Sequence, residues 1–214
     1  MYLETESNDI IEGSNGNDII GGPGGDHGDE GLSGRPYDED LDGEAGTFFV
    51  AGHEGSDTFV FHSHYPTGPI NWGANFEPIP VLTIGDFNPA QDTFAFDAKG
   101  LGNDNSGANF INHGDPQAGS TVDTFYEGNA SGASGEHVVV ITDQSFASGS
   151  DATSAISGER GGDIIVYHNA DTRTVELAYV TSPDHVDVFA HLAEVDSVSD
   201  LANMYLVPSD FTFV

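Results

Sequence analysis

The chain has 214 residues and carries 36 Asp and Glu against 4 Lys and Arg, so its formal net charge at pH 7 is −32. That balance argues against nucleic acid and against an anionic membrane face as partners, because both require a basic protein surface. Hydrophobic residues make up 37% of the chain, which is enough for a packed core and argues against wholesale disorder.

The composition also limits the cofactors and the targeting signals. The chain has no cysteine, which excludes disulfides, cysteine-ligated zinc and cysteine nucleophiles. It has no apolar run near the roughly 20 residues of a membrane span, and its first residues are acidic and polar, unlike a signal peptide. A hard divalent cation is the natural partner of so many carboxylates, since calcium binds roughly six to eight oxygens. A halophilic or generally acidic exported protein is the alternative.

The first segment of the chain contains degenerate nonapeptide repeats of the pattern Gly-Gly-x-Gly-x-Asp-x-apolar-x. Residues 13–21 and 52–60 fit this pattern well, and four other frames between residues 4 and 51 fit it in part. The glycines permit the positive φ angles of a tight turn, and the Asp adds a carboxylate to the backbone carbonyls of that turn. A cation between stacked turns would offset the repulsion among their acids. A glycine-rich linker is the alternative.

The repeat frame also predicts which residues bind calcium. Asp18 and Asp57 lie in the best-formed turns, on the same side of the predicted coil. Beyond the repeats, Asp86 and Asp92 flank a proline turn and are predicted either to clamp one more calcium or to cap the turn. The complete predicted ligand set is Asp9, Asn15, Asn17, Asp18, Gly22, Gly24, Asp26, Glu39, Asp57, Asp86 and Asp92.

From residue 57 onward, the pattern changes to short runs of β-branched and aromatic residues bounded by turn residues, which predicts a mainly β protein with few helices. Residues 169–172 predict the turn of a hairpin. Ser197 or Ser199 is predicted to cap a short helix that ends before Pro208. The strands are predicted at residues 57–61, 81–84, 92–97, 137–142, 163–167 and 175–180, with 186–192 as helix or strand and 211–213 as a final core strand.

The chain resembles the repeats-in-toxin (RTX) family of hemolysin-type calcium-binding proteins. Residues 13–21 and 52–60 resemble its repeats, and residues 84–94 resemble the strand pair that follows the β-roll in serralysin-like proteases and in the R-modules of alginate epimerases. Residues 162–167 and 210–214 are similar to the closing hairpin and tail of such chains. The resemblance implies a short parallel β-roll that continues into a β-sandwich-like C-terminal part, with Ca²⁺ in the turns and export by type I secretion machinery.

We therefore predict calcium-binding β-roll repeats over residues 1–62 and a β-rich secretion and capping part over residues 63–214, the two sharing one core. The predicted function is that of a calcium-dependent folding and type I secretion module of an exported bacterial RTX protein. It is expected to be secreted to the extracellular space and not to be an enzyme, with any catalysis in an upstream domain.

Two other classes of function stay open. The first is a carbohydrate-binding or adhesive module that binds polysaccharide, which an exposed Trp72 in a groove would support. The second is a small secreted enzyme, although the chain has neither a His-Glu-x-x-His motif nor a Gly-x-Ser-x-Gly motif. The two histidines of residues 62–64 lie on one face of a predicted strand, where they either bind a metal or are surface residues at the strand end. The histidine of residues 167–169 is interpreted as a surface residue at the hairpin turn.

Overall fold

The structure is a computed structural model that describes residues 10–12, 19–21, 48–51, 56–61, 81–96 and 119–213. Its two helices are α1 (Gly149–Ala155) and α2 (Val198–Met204), and short 3₁₀ turns lie at Ala130–Gly132 and Pro208–Asp210. The strands are β1 (Ile10–Glu12), β2 (Ile19–Gly21), β3 (Phe48–Ala51), β4 (Thr58–Phe61), β5 (Leu82–Ile84), β6 (Thr93–Phe96), β7 (Phe125–Gly128), β8 (Val138–Phe146), β9 (Ile164–Asn169), β10 (Thr174–Ser182), β11 (His185–Leu192) and β12 (Phe211–Phe213). The prediction of a mainly β protein with few helices is confirmed.

The first six strands alternate between two sheets. β1, β3 and β5 lie side by side in the first sheet, and β2, β4 and β6 lie side by side in the second. Every pairing among them is parallel. Ile11, Val50 and Ile84 lie opposite one another on neighbouring strands of the first sheet, and Ile20, Phe59 and Phe94 do so in the second. Parallel neighbours cannot be joined by hairpins, so the chain winds from sheet to sheet. This is the short parallel roll that the sequence predicts.

The C-terminal part continues both sheets. The first sheet has the strand order β1-β3-β5-β11-β10-β9-β8-β7, and the second has the order β12-β6-β4-β2. The pairs β5–β11 and β6–β12 are parallel, whereas β9 and β10 form an antiparallel hairpin. The predicted turn at residues 169–172 is therefore confirmed, and Arg173 completes it with a φ of 59°. The last strands of the chain thus extend the roll and do not form a separate layer.

The main core lies between the two sheets and is built on rows of phenylalanine. Phe59, Phe94 and Phe211 share one register across three strands of the second sheet, and all three are buried. The rings of Phe94 and Phe211 are 5.4 Å apart, and Phe87 stacks on Phe94 with centroids 3.9 Å apart. Repeated aromatic rows suit a parallel roll, because equivalent positions in successive coils lie directly beside each other.

A second, smaller core covers the outer face of the first sheet. There α1 packs on β9 and β11, and the side chains of Ile165, Tyr167 and Val180 are fully buried. Ser148 caps α1 by accepting a hydrogen bond from the Asp151 N–H at 3.2 Å. The sequence pattern does not predict α1, which is rich in Ser and Thr and therefore weak in helix propensity. Tertiary packing on the sheet stabilises this helix.

The second helix begins and ends as predicted. Ser197 is its N-cap and accepts a hydrogen bond from the Asp200 N–H at 3.2 Å. The helix ends at Tyr205, which has φ 53° and ψ 51°. Residues 186–192, which were predicted as helix or strand, lie within β11. The division into segments 1–62 and 63–214 stays a prediction. Among the helices that the structure describes, none is long and apolar enough to cross a membrane.

Candidate functional site: a cleft beside the second helix

The structure brings two of the predicted calcium ligands together. Asp57 and Asp92 directly precede β4 and β6, and both are buried, with 1% and 4% of their surface exposed. Asp86 lies in the turn between β5 and β6 and is half-buried. The other predicted ligands lie outside the described residues: Asp9, Asn15, Asn17, Asp18, Gly22, Gly24, Asp26 and Glu39.

The carboxylate of Asp92 caps the turn. Its Oδ1 accepts a hydrogen bond from the Asp57 N–H at 3.0 Å, and its Oδ2 accepts one from the Asn88 N–H at 2.8 Å. Burial raises the pKa of Asp92, the two backbone N–H groups counteract that rise, and the charges of Asp57 and Asp86 add to it. Asp92 thereby ties the turn before β6 to the turn before β4 in the preceding coil. Of the two roles predicted for it, the geometry supports turn capping.

Calcium as the cofactor stays a prediction. Within the ranges that the structure describes, no group of three or more His, Cys, Asp or Glu is arranged to hold a metal ion. We expect Asp18→Ala to lose one bound calcium relative to the parent chain, because Asp18 lies in the repeat that best fits the pattern. Asp123→Ala, at an exposed position after the roll, is the control. Ion counting by native mass spectrometry measures both, and equal losses would show that the repeat frame is wrong.

A cleft of about 820 Å³ lies between the turn that follows β5 and the end of α2. Its floor is apolar and its rim is polar. Ile84 and Leu192 are buried beneath it, and Phe87 is partly buried against the main core. The residues that line it are Ile84, Gly85, Asp86, Phe87, Asn88, Pro89, Ala90, Leu192, Glu194, Val195, Asp200, Asn203, Met204 and Tyr205. An apolar cleft with a few polar groups on its rim is the usual form of a small-molecule site.

Tyr205 stands out among the lining residues. It is 71% exposed, and its φ of 53° lies in the left-handed region. That region is unfavourable for a bulky L-residue, by about 1–2 kcal/mol, and glycine is usual at this position after a helix. A strained and exposed aromatic residue contributes little to the stability of the fold. Strained residues of this kind cluster at active sites and ligand-binding sites, so Tyr205 is a candidate functional residue.

The rim of the cleft is acidic. Asp86, Glu194 and Asp200 contribute carboxylates, and Asn88 and Asn203 contribute amides. Among the lining residues that the structure describes, none is Lys, Arg or His. Carboxylates accept hydrogen bonds in several directions, and side-chain amides both donate and accept. The cleft can therefore hold a ligand rich in hydroxyl or amino groups, and it repels an anionic one.

The histidine of residues 167–169 is not a surface residue, so that interpretation was wrong. Tyr167, His168 and Asn169 lie inside β9 and are 0%, 6% and 7% exposed. The Tyr167 hydroxyl donates to Glu176 Oε2, and Asn169 Nδ2 donates to Glu176 Oε1 at 2.9 Å. Burial raises the pKa of Tyr167, and the neighbouring Glu176 raises it further. β9 continues further than its apolar sequence pattern predicts because these polar groups satisfy one another inside the sheet.

Comparison with known proteins shows similarity to nodulation protein O of Rhizobium leguminosarum bv. viciae. The two sequences are 42% identical over 168 residues, an alignment that covers 74% of this chain and 56% of the relative. This chain thus spans little more than half the length of the curated relative that it matches. No family model matches the chain.

These findings correct the family and the function predicted from the sequence. The relative is named for nodulation and not as an RTX hemolysin-type calcium-binding protein, and no family model supports the RTX assignment. The prediction of a calcium-dependent type I secretion module of an RTX protein was therefore wrong. The prediction of a metal-binding protein is also without support, because the residues that the structure describes include no group arranged to hold a metal ion. Extracellular location and the absence of catalysis stay predictions.

Proposed function

We propose that this protein acts in nodulation and that the cleft beside α2 binds a neutral or amino-sugar oligosaccharide there. The likeness to nodulation protein O over 74% of the chain supports the nodulation role. The observation that carries the ligand class is the exposed, strained Tyr205 on an acidic cleft rim.

The cleft offers the two kinds of contact that sugars need. An exposed aromatic ring presents an apolar face on which a pyranose ring stacks, while its hydroxyl stays in water. The Asp86, Glu194 and Asp200 carboxylates accept hydrogen bonds from sugar hydroxyls, and Asn203 adds an amide. Such charge-assisted hydrogen bonds are about twice as strong as those between neutral groups.

The charge of the cleft selects among sugars. Three carboxylates line it among the residues that the structure describes, and the whole chain carries a net charge of −32. An acidic oligosaccharide would bring its own carboxylates toward them, and that repulsion opposes binding. Neutral sugars avoid this repulsion, and amino sugars are attracted by the carboxylates. We therefore expect binding of neutral and amino-sugar oligosaccharides and weak or no binding of uronate oligosaccharides of the same length.

Replacing Tyr205 with glycine separates binding from stability. We expect Tyr205→Gly to weaken oligosaccharide binding by at least about tenfold, or ~1.4 kcal/mol, because the stacking face is lost. The same change should raise the free energy of unfolding by roughly 0.5–1 kcal/mol, because glycine adopts the left-handed conformation without strain. Isothermal titration calorimetry measures the first quantity and urea unfolding the second.

The control for this experiment is Val207→Ala. Val207 is exposed, at 43%, and is not among the residues that line the cleft, so its replacement should change neither quantity by more than about 0.5 kcal/mol. Unchanged sugar affinity in Tyr205→Gly would refute the assigned ligand site. Equal affinity for acidic and neutral oligosaccharides would refute the assigned ligand class.

The nodulation role has its own test. A strain of Rhizobium leguminosarum bv. viciae from which the nodulation protein O gene is deleted is supplied with this chain, with the authentic relative or with an empty vector. We expect this chain to restore the nodule number that the authentic relative restores. Restoration no better than that of the empty vector contradicts the nodulation role, whatever the outcome of the sugar-binding experiment.

A further inference from the structure

Ser145 and His168 form a hydrogen-bonded pair away from the cleft, across the β8–β9 pairing. Ser145 Oγ lies 2.8 Å from His168 Nδ1, and His168 Nε2 lies 2.8 Å from the backbone oxygen of Asp196. The two residues face each other in the register of the two strands. His168 is 6% exposed, whereas Ser145 is exposed to solvent.

The second hydrogen bond fixes where the imidazole carries its proton. A backbone carbonyl only accepts hydrogen bonds, so Nε2 of the neutral ring must be the protonated nitrogen. Nδ1 then has a lone pair, and the Ser145 hydroxyl must donate to it. A serine hydroxyl that donates to a fixed, unprotonated imidazole nitrogen has the geometry of a nucleophile with its general base.

An irregularity in β8 places Ser145 in this position. Between the pair Val140–Val166 and the pair Ser145–His168, β8 advances five residues while β9 advances two. The extra residues of β8 shift its later residues along β9. Irregular pairing of this kind often sets the direction of a functional side chain. The sequence pattern predicts that this strand ends at residue 142, so Ser145 is not among the residues predicted for a site.

We propose that Ser145 is a nucleophile activated by His168 that accepts an acyl group from a neutral activated ester. In the reaction, Ser145 Oγ forms a bond to the carbonyl carbon while its proton passes to His168 Nδ1. The bond from that carbon to the leaving oxygen then breaks, and the leaving group takes the proton from His168. The products are an O-acyl serine and the alcohol, with no oxidant or reductant needed. The net charge of −32 disfavours anionic donors.

A fluorophosphonate probe tests this chemistry on the full chain. Oγ attacks phosphorus, fluoride leaves and the serine proton is taken up by His168, so that Ser145 carries a stable phosphonyl group. We expect peptide mass spectrometry to locate the adduct at Ser145 and to find none in Ser145→Ala. Ser154→Ala, a change at an exposed serine of α1, should label like the parent chain. Failure of the parent chain to label at Ser145 overturns the proposal.

The absence of cysteine from this chain allows a second test that leaves His168 in place. Ser145→Cys and Ser154→Cys each introduce one thiol, and the imidazole should lower the thiol pKa in the first variant and leave it unchanged in the second. We expect iodoacetamide to alkylate Ser145→Cys about tenfold faster than Ser154→Cys at pH 7. Adding His168→Gln to Ser145→Cys should abolish the difference. Equal alkylation rates for the two single variants overturn the proposal, even if the histidine variant does not fold.

Discussion

Replacing Phe211 with alanine should lower the free energy of unfolding by about 3–5 kcal/mol. Phe211 is fully buried at the centre of an aromatic group, with ring centroids 5.4 Å from Phe94 and 5.8 Å from Phe125. Its strand also forms backbone hydrogen bonds on both sides. β12 pairs with β6, and on its other side Val122 N donates to Phe211 O at 3.1 Å while Phe213 N donates to Ser120 O at 2.9 Å. A cavity here cannot close by a shift of an edge strand. Urea unfolding followed by fluorescence measures the change.

Two further variants make this result specific. Phe211→Leu keeps most of the buried volume, so it should cost well under half as much as the alanine variant. The double variant Phe94→Ala with Phe211→Ala should cost less than the sum of the two single changes, because both remove the same contact. A loss below about 1 kcal/mol for Phe211→Ala would mean that β12 is not part of the core.

Replacing Asp163 with asparagine should stabilise the protein at pH 8 by roughly 2–4 kcal/mol. Asp163 is 1% exposed, and its pKa is raised from 3.8 to about 7. Burial is the largest cause and the charges of Glu159 and Glu136 add to it, whereas the N–H and the charge of Arg160 oppose it. The Asp163 Oδ1 and Glu159 Oε1 atoms are both buried without a hydrogen-bond partner among the described residues. The other carboxylate oxygen of Asp163, Oδ2, accepts from the Arg160 N–H at 2.6 Å. Asparagine can keep that hydrogen bond without the charge.

The sign of the pH dependence follows from the raised pKa. The folded state holds the proton on Asp163 more tightly than the unfolded state does, so protonation favours folding. The contribution of Asp163 to stability is therefore full below about pH 4 and is lost as the pH rises to about 7. Asp163→Asn should remove this loss and flatten the profile between these values. Unfolding free energies measured from about pH 4 to about pH 8 test it.

Asp184→Asn is the matched control, because it removes one negative charge from an exposed turn. It should relieve only a small part of the general repulsion at a net charge of −32. If Asp163→Asn and Asp184→Asn change stability equally at pH 8, the effect comes from net charge, and the buried carboxylate has no special role.

The roll and the aromatic core could be predicted from the sequence, because their signals are periodic. Thr58–Phe61 and Thr93–Phe96 alternate at the strand period, and each follows an Asp. The final strand is likewise predicted by the alternation of Phe, Thr and Phe. These patterns depend on local spacing and on burial of one face, which a single sequence displays directly.

The cleft and the hydrogen-bonded pair of Ser145 and His168 could not be predicted, because each depends on residues that are distant in the chain. Asp86 and Tyr205 come together only after β11 pairs with β5 and α2 follows. Ser145 and His168 lie opposite each other because the pairing of β8 with β9 changes register, and no sequence motif predicts that change. The family was wrongly predicted because it was assigned chiefly from glycine and aspartate repeats within residues 4–60, whereas the similarity to a curated relative extends over 74% of the chain.

The placement of β12 beside β6 sets the order of events in folding. Thr212 and Phe94, which share a hydrogen bond, are separated by 118 residues along the chain. Contacts between such distant residues form slowly, since the entropy of closing the loop must be overcome before any contact stabilises it. During synthesis, the side of Phe94 that Phe211 contacts stays uncovered until residue 211 has left the ribosome. The roll is thus completed only when residue 211 is available, and a ribosome-bound chain that stops short of residue 211 should bind hydrophobic dyes and chaperones that the released 214-residue chain does not.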